Sequence, residues 1–233
     1  MNDYKHFYNI TTKRKKMKLF KKTVLPMLFV ALAALVACND DKDGDNYVFV
    51  PLTPAEKAAQ INEMQGNYTG KLYYNINIYA ATIGDSANIS WTVNAADSTL
   101  LIQDFPMKAI AGSISSTEMQ EAFLNGGTNP LKTQLYLYRP WGTEGPLQTA
   151  YFNIIPKGNE DLAVKMPLTI GGEQKNVTLL FTTGMQTSAY SAYYSVGQFY
   201  NKALVANLIL KQVVVDGGST YDIASLFIMK GNK

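Results

Sequence analysis

Histidine and cysteine are nearly missing from this chain of 233 residues. The one histidine is His6 and the one cysteine is Cys38. Beyond residue 38 there is neither, which removes Ser-His-Asp and Cys-His catalysis, imidazole bases and histidine-built zinc sites from the body. A lone cysteine also has no disulfide partner. Arginine occurs twice, at Arg14 and Arg139. No glycine-rich loop opens a helix in a βαβ unit, so nucleotide folds have no support and no cofactor is expected. The formal charge of +3 hides an asymmetry. Residues 1–37 carry +7 and the remainder −4, so the basic character belongs to the leader. A mildly acidic body without clustered Lys/Arg argues against nucleic acid as a partner.

What is present begins with a basic run, Lys13 to Lys22, then an apolar stretch from Val24 to Ala37 interrupted by Pro26. A positive segment, a short apolar segment and a small residue before a cut define a secretory signal. The apolar stretch is shorter than the roughly 20 residues a spanning helix needs, which disfavours the rival reading of a resident transmembrane anchor. Leu35-Val36-Ala37-Cys38 resembles the lipobox of bacterial lipoproteins. The resemblance implies cleavage before Cys38, a diacylglycerol on its thiol, and a membrane as partner through that lipid. Two or three acyl chains make such an anchor durable, where one alone is marginal. The run from Met17 is itself a complete signal, which makes Met17 a candidate start.

The segment Asn39-Asp40-Asp41-Lys42-Asp43-Gly44-Asp45-Asn46 has no apolar residue and reads as a solvated spacer. An acidic run after the lipidated cysteine resembles the export signal of Bacteroidetes surface lipoproteins. It implies an outer-membrane location on the cell surface, the periplasmic face being the alternative. A calcium loop is excluded: Gly44 is out of register and Glu56 lies too far on. The expected organisation is residues 1–37 as signal peptide, 38–52 as lipidated cysteine and tether, and 53–233 as a single β domain.

The body reads as all-β and mainly antiparallel. About ten strands form a barrel-like or sandwich meander with one or two short helices. Thr53, Pro54 and Glu56 open the first helix with a capping box, Ala58, Ile61 and Met64 form its stripe, and Gly66 stops it. A second helix is expected from Ser115 to Leu124, with Ser115 and Glu118 as its box. Alternation of Leu72, Tyr74 and Ile76 with polar neighbours marks a half-buried strand. Gly171-Gly172 and Gly217-Gly218 read as two-residue hairpin turns. The stretches Gly66–Leu72 and Leu100–Pro106 resemble uncharacterised calycin-like lipoprotein domains of Bacteroides, which implies a barrel-like fold and no assigned activity.

The function expected from these features is an envelope-anchored, non-catalytic module binding a glycan, a lipid or a protein, of open oligomeric state. Aromatic side chains stack on sugars and populate interfaces. Tyr190, Tyr193 and Tyr194 crowd one segment, and Tyr138-Arg139-Pro140-Trp141 runs from a strand into a loop. Arg139 and Trp141 are therefore the expected exposed contacts, against the plainer reading that tyrosines simply line a sheet. Asp85-Ser86-Ala87 and Asp97-Ser98-Thr99 resemble the Bacteroides O-glycosylation motif, which makes Ser86 and Ser98 candidate acceptors. Two alternatives stand beside this. One is a carboxylate glycosidase drawing on Asp104, Glu118, Glu121, Glu144, Glu160, Asp161, Glu173, Asp216 or Asp222, which needs two acids in one cleft. The other is a structural or adhesion-assembly subunit with an open sheet edge.

Overall fold

A computed structural model describes residues 50–77, 80, 82–140, 143, 145–158, 161–183 and 195–233. Within them the order is α1 (Pro54–Met64), β1 (Gly66–Asn77), β2 (Thr82–Asn94), β3 (Thr99–Pro106), α2 (Lys108–Ala111), α3 (Thr117–Leu124) and β4 (Thr128–Tyr138). There follow β5 (Ala150–Ile155), β6 (Ala163–Ile170), β7 (Glu173–Phe181), β8 (Val196–Tyr200), β9 (Ala203–Val215) and β10 (Thr220–Asn232). Every strand pairing is antiparallel.

Eight strands close a ring in the order β1-β2-β3-β4-β5-β8-β9-β10, because β10 pairs with both β9 and β1. The hairpin β6–β7 is an excursion from this ring. It leaves after β5 and rejoins through β7, which pairs with the far half of β9, Leu210–Val215. Strand β8 takes the near half, Ala203–Ala206. Register shifts on both sides of Lys211 mark a bulge where β9 changes partner. A bulge bends a strand and increases its twist, which suits it to such a fork. The body is thus a near-barrel with an inserted hairpin, not a plain meander.

Alternation decides which side faces in. Strand β6 buries Val164, Met166, Leu168 and Ile170 and exposes Lys165, Pro167 and Thr169. Apolar inside and polar outside is the reverse of a membrane-spanning barrel. The interior is filled by rings. Tyr68 stacks on its cross-strand partner Trp91 at 5.4 Å, with Phe199 edge-on to Tyr68 at 6.5 Å. Phe105 meets Phe181 and Phe227 edge-on, each at 5.7 Å. Each buried ring contributes about 1.5–3 kcal/mol by leaving water, with somewhat more from these pairings. Space for them comes from missing side chains opposite: Gly197 faces the Phe152 ring, and Gly231 faces Trp91.

The two ends are closed differently. Helix α1 lies across the end that carries the last residues of β4, β8 and β10. Its capping box forms as the sequence predicts, Thr53 accepting from Glu56 N–H and Glu56 accepting from Thr53 N–H. Ile61 and Met64 point into the core while Ala58 stays exposed. Its last carbonyls accept from the Tyr68 hydroxyl and the Lys233 ammonium, which also complements the helix dipole. The helix ends at Gln65 and Gly66 already begins β1. At the opposite end the insert between β3 and β4 buries Met107, Ile110, Ile114, Met119 and Phe123. Within it Ser116, not Ser115, caps α3, accepting from Met119 N–H. Ser113 bonds Ser225 of β10 and Asn129 bonds Met166 of β6, so the insert and the start of β4 cover the places where ladders lapse.

The turns refine two expectations. Gly171 and Gly172 both take positive φ, 59° and 84°, as a two-residue hairpin requires. The Gly217-Gly218 link is longer than expected, with Asp216 to Ser219 all outside the strands.

Candidate functional site

Two surface features, at opposite ends of the barrel, carry the chemistry on offer. The first lies at the α1 end. On the outer face of β4 and β5, Tyr138 stands opposite Tyr151 with ring centroids 6.3 Å apart. Burial pushes the Tyr138 hydroxyl up to about 12. Tyr136, two residues earlier on the same face, is 37% exposed and carries the Lys57 ammonium 5.2 Å above its ring. That cation–π contact ties the first turn of α1 to β4.

Arg139 sits beside them, but not as the exposed contact the sequence suggests: only 4% of it is accessible. One guanidinium nitrogen donates to Glu56 at 2.7 Å and another to the Gly145 carbonyl at 2.5 Å. Thr53, whose backbone N–H and hydroxyl both donate to Glu56, and then Arg139 hold the Glu56 carboxyl below its ordinary range. Arg139 therefore acts as a clamp between helix α1 and the loop after β4. A partner 83 residues away in sequence explains why local reading misplaces it. Trp141, Tyr190, Tyr193 and Tyr194 lie outside the described residues, as do Cys38, Glu144 and Glu160. Ser86 is half-buried in β2 with its N–H donating to Asp85, and Ser98 sits half-buried in the β2–β3 turn at φ 52°.

The second feature is a pocket of about 360 Å³ on the outer face of the β6–β7 hairpin, next to the end of β9. Lys165, Asn176, Thr178 and Asp216 surround it, with Pro167 among them. Cross-strand pairing sets Lys165 against Thr178 and Pro167 against Asn176, and Asp216 N–H bonds the Asn176 carbonyl. None of those four polar side chains makes a hydrogen bond or ion pair among the described residues. Four other carboxylates are engaged, Asp85 by Tyr74, Asp97 by Lys157, Asp104 by Ser90 and Asp222 by Gln212, whereas those of Glu63, Glu118, Glu121 and Asp161 stand as unpaired among the described residues as that of Asp216. The Asp97 carboxyl is held down at about 2 by Lys157 and Thr99. Pattern alone does not reveal this pocket, because its residues come from two strands and a turn that is distant in sequence.

Asp216 is the lone acid lining that pocket. Among the described residues no group of three or more His, Cys, Asp or Glu could hold a metal. No described helix is long and apolar enough to cross a membrane.

The family model described as "Domain of unknown function (DUF4840)" matches residues 63–215, well over half of the sequence. The chain belongs to this family. No curated protein and no solved structure matches it. The DUF4840 match runs from the last turn of α1 to the end of β9 and so contains the pocket's β6–β7 hairpin and most of the tyrosine face. The ring-closing strand β10 and the capping turn of α1 lie outside it.

Proposed function

We propose that this DUF4840 protein is a lipoprotein, lipid-anchored through Cys38 on the outer membrane, that acts as a non-catalytic module binding a glycan at the β6–β7 pocket. The observation that carries the reading is the set of four unengaged polar side chains around one concavity. Donors and acceptors beside an apolar ring such as Pro167 suit the alternating hydroxyl and C–H faces of a sugar. A lipid ligand inside the barrel is disfavoured by the aromatic packing of its interior. Glycosidase chemistry needs two acids across one cleft, and here the pocket offers Asp216 without a second. An assembly role by strand addition is disfavoured at β2 but stays the alternative at β6, which ends the sheet order and pairs β7 alone. Strand β2 pairs β3 only from Trp91 to Asn94, yet along the preceding stretch the N–H groups of Ser86 and Ser90 already donate to Asp85 and Asp104. Such engaged edges discourage further pairing.

The test is calorimetric titration of neutral and charged oligosaccharides onto the mature protein. Asn176→Ala and Asp216→Ala should each weaken binding by about tenfold, the worth of one hydrogen bond. Binding undiminished in the double variant would refute the site, and no binding to any oligosaccharide would refute the ligand class. Cys38→Ser should release the protein from membranes.

A further inference from the structure

The proposed anchor and the place where the chain enters the body together favour one orientation. Strand β9 runs from the α1 end, where Ala203 follows the β8 turn, to the pocket, where Val215 precedes Asp216. Thirteen residues at about 3.3 Å each make the two features roughly 40 Å apart. The spacer enters at the α1 end, because Thr53 caps α1 and Glu56 is clamped to Arg139 at the end of β4. From Cys38 to Val50, the first described residue, is twelve residues, and on the reading of that stretch as a solvated spacer such a length has a root-mean-square span of about 20 Å. That is about half the length of the barrel, which favours an α1 end nearer the bilayer and a pocket farther from it.

The α1 end has the chemistry of a membrane-interface surface. Val50, Tyr136 and Tyr200, three of the five exposed large apolar residues described, lie there, at 43%, 37% and 53% accessibility. Strand β5 separates Tyr136 on β4 from Tyr200 on β8, so both tyrosines lie on one side of the barrel. Lys57, Lys202 and Lys233 add positive charge, against Glu63, while Glu56 is paired with Arg139. Tyrosine beside lysine, half apolar and half wet, suits the headgroup layer.

We propose that the barrel end carrying Val50, Tyr136 and Tyr200 rests on the phospholipid surface that holds the lipidated Cys38, with the pocket facing outward. This rests on the lipoprotein reading above. The test uses mature lipidated protein in phosphatidylethanolamine–phosphatidylglycerol vesicles. With Cys38 acylated, Tyr136→Cys, Tyr200→Cys or Lys165→Cys supplies the single thiol for an environment-sensitive fluorophore. Nitroxide lipids should quench the labels at 136 and 200 several-fold and leave the label at 165 nearly unchanged. Equal quenching at all three positions, or none at 136 and 200 in membrane-bound protein, overturns the orientation and leaves the anchor standing. Protection at 136 and 200 in native outer membranes but not in protein-free vesicles points to a protein partner and also overturns it. Wild-type protein that stays in the aqueous phase overturns anchor and orientation together.

Discussion

Replacing Gly197 by alanine probes whether the ring closes as tightly as its backbone implies. A methyl at this position would overlap Cζ and Cε2 of Phe152 and stand 2.8 Å from the Val205 carbonyl oxygen. Carbon atoms in contact sit about 3.5–4.0 Å apart, so the ring overlap is roughly 1 Å. Phe152 is fully buried and cannot swing into solvent. Overpacking of this kind costs about 1–3 kcal/mol, and the absence of an escape route places Gly197→Ala at the upper end. At about 2–4 °C per kcal/mol for a body of this size, the melting midpoint should fall by about 6–12 °C. Phe152→Leu alone should cost about 1–2 kcal/mol by leaving a void. Combined with Gly197→Ala it removes the obstructing ring atoms, so the double variant should be about 2 kcal/mol more stable than the sum of the two losses. Gly218→Ala is the control: its nearest neighbour would be 3.5 Å away, and it should change stability by less than about 0.5 kcal/mol. Urea denaturation of the four variants gives all the numbers. Additive losses, or a Gly197→Ala variant as stable as the parent, would show that β8 does not approach β5 as described.

Two further outcomes follow from other parts of the molecule. Arg139→Lys keeps the charge but loses the forked reach to both Glu56 and Gly145; stability should fall by about 1–2 kcal/mol, a figure reduced for the partial exposure of Glu56, with saccharide affinity unchanged, and a lost affinity at full stability would return Arg139 to the role of ligand contact. Burial pushes the hydroxyls of Tyr74 and Tyr138 up to about 12, with Asp85 adding to the first and Tyr151 to the second. An unfolded tyrosine ionises near 10, so the stability these groups contribute is complete below about pH 10 and lost as pH rises through about 12. A tyrosinate absorbance titration should show a late step coinciding with loss of β-sheet dichroism; ionisation of every tyrosine near pH 10 with the sheet intact would contradict it.

Local patterns made much of this fold readable. The alternation in Ala163–Ile170 is that of a strand with one wet face, and the burial along it repeats residue by residue. Thr53-Pro54-Ala55-Glu56 names its own helix start because cap, first-turn proline and returning carboxylate are all within four residues. What failed was short or long-range. Lys108–Ala111 is one turn, too brief to display a period. The choice of Ser116 over Ser115 as a cap is a matter of one residue, within the usual uncertainty of helix ends. Nothing local tells β5 to pair β8 across an intervening hairpin, nor Arg139 to reach back to Glu56.

The same contrast explains why the site was harder to read than the fold. Strands announce themselves through a two-residue period because each must bury one face. A surface site obeys no such period: its groups need only converge, and at the β6–β7 pocket they come from β6, β7 and the turn after β9. Arg139 shows the converse. An arginine between a tyrosine strand and a Pro-Trp loop has the composition of a contact residue, yet burial at 4% with Glu56 and Gly145 as partners gives it a mechanical task. By pinning the first turn of α1 to the end of β4, it fixes where the spacer enters the barrel. On the proposed orientation, the direction in which the pocket faces would be set by a residue that does not line it.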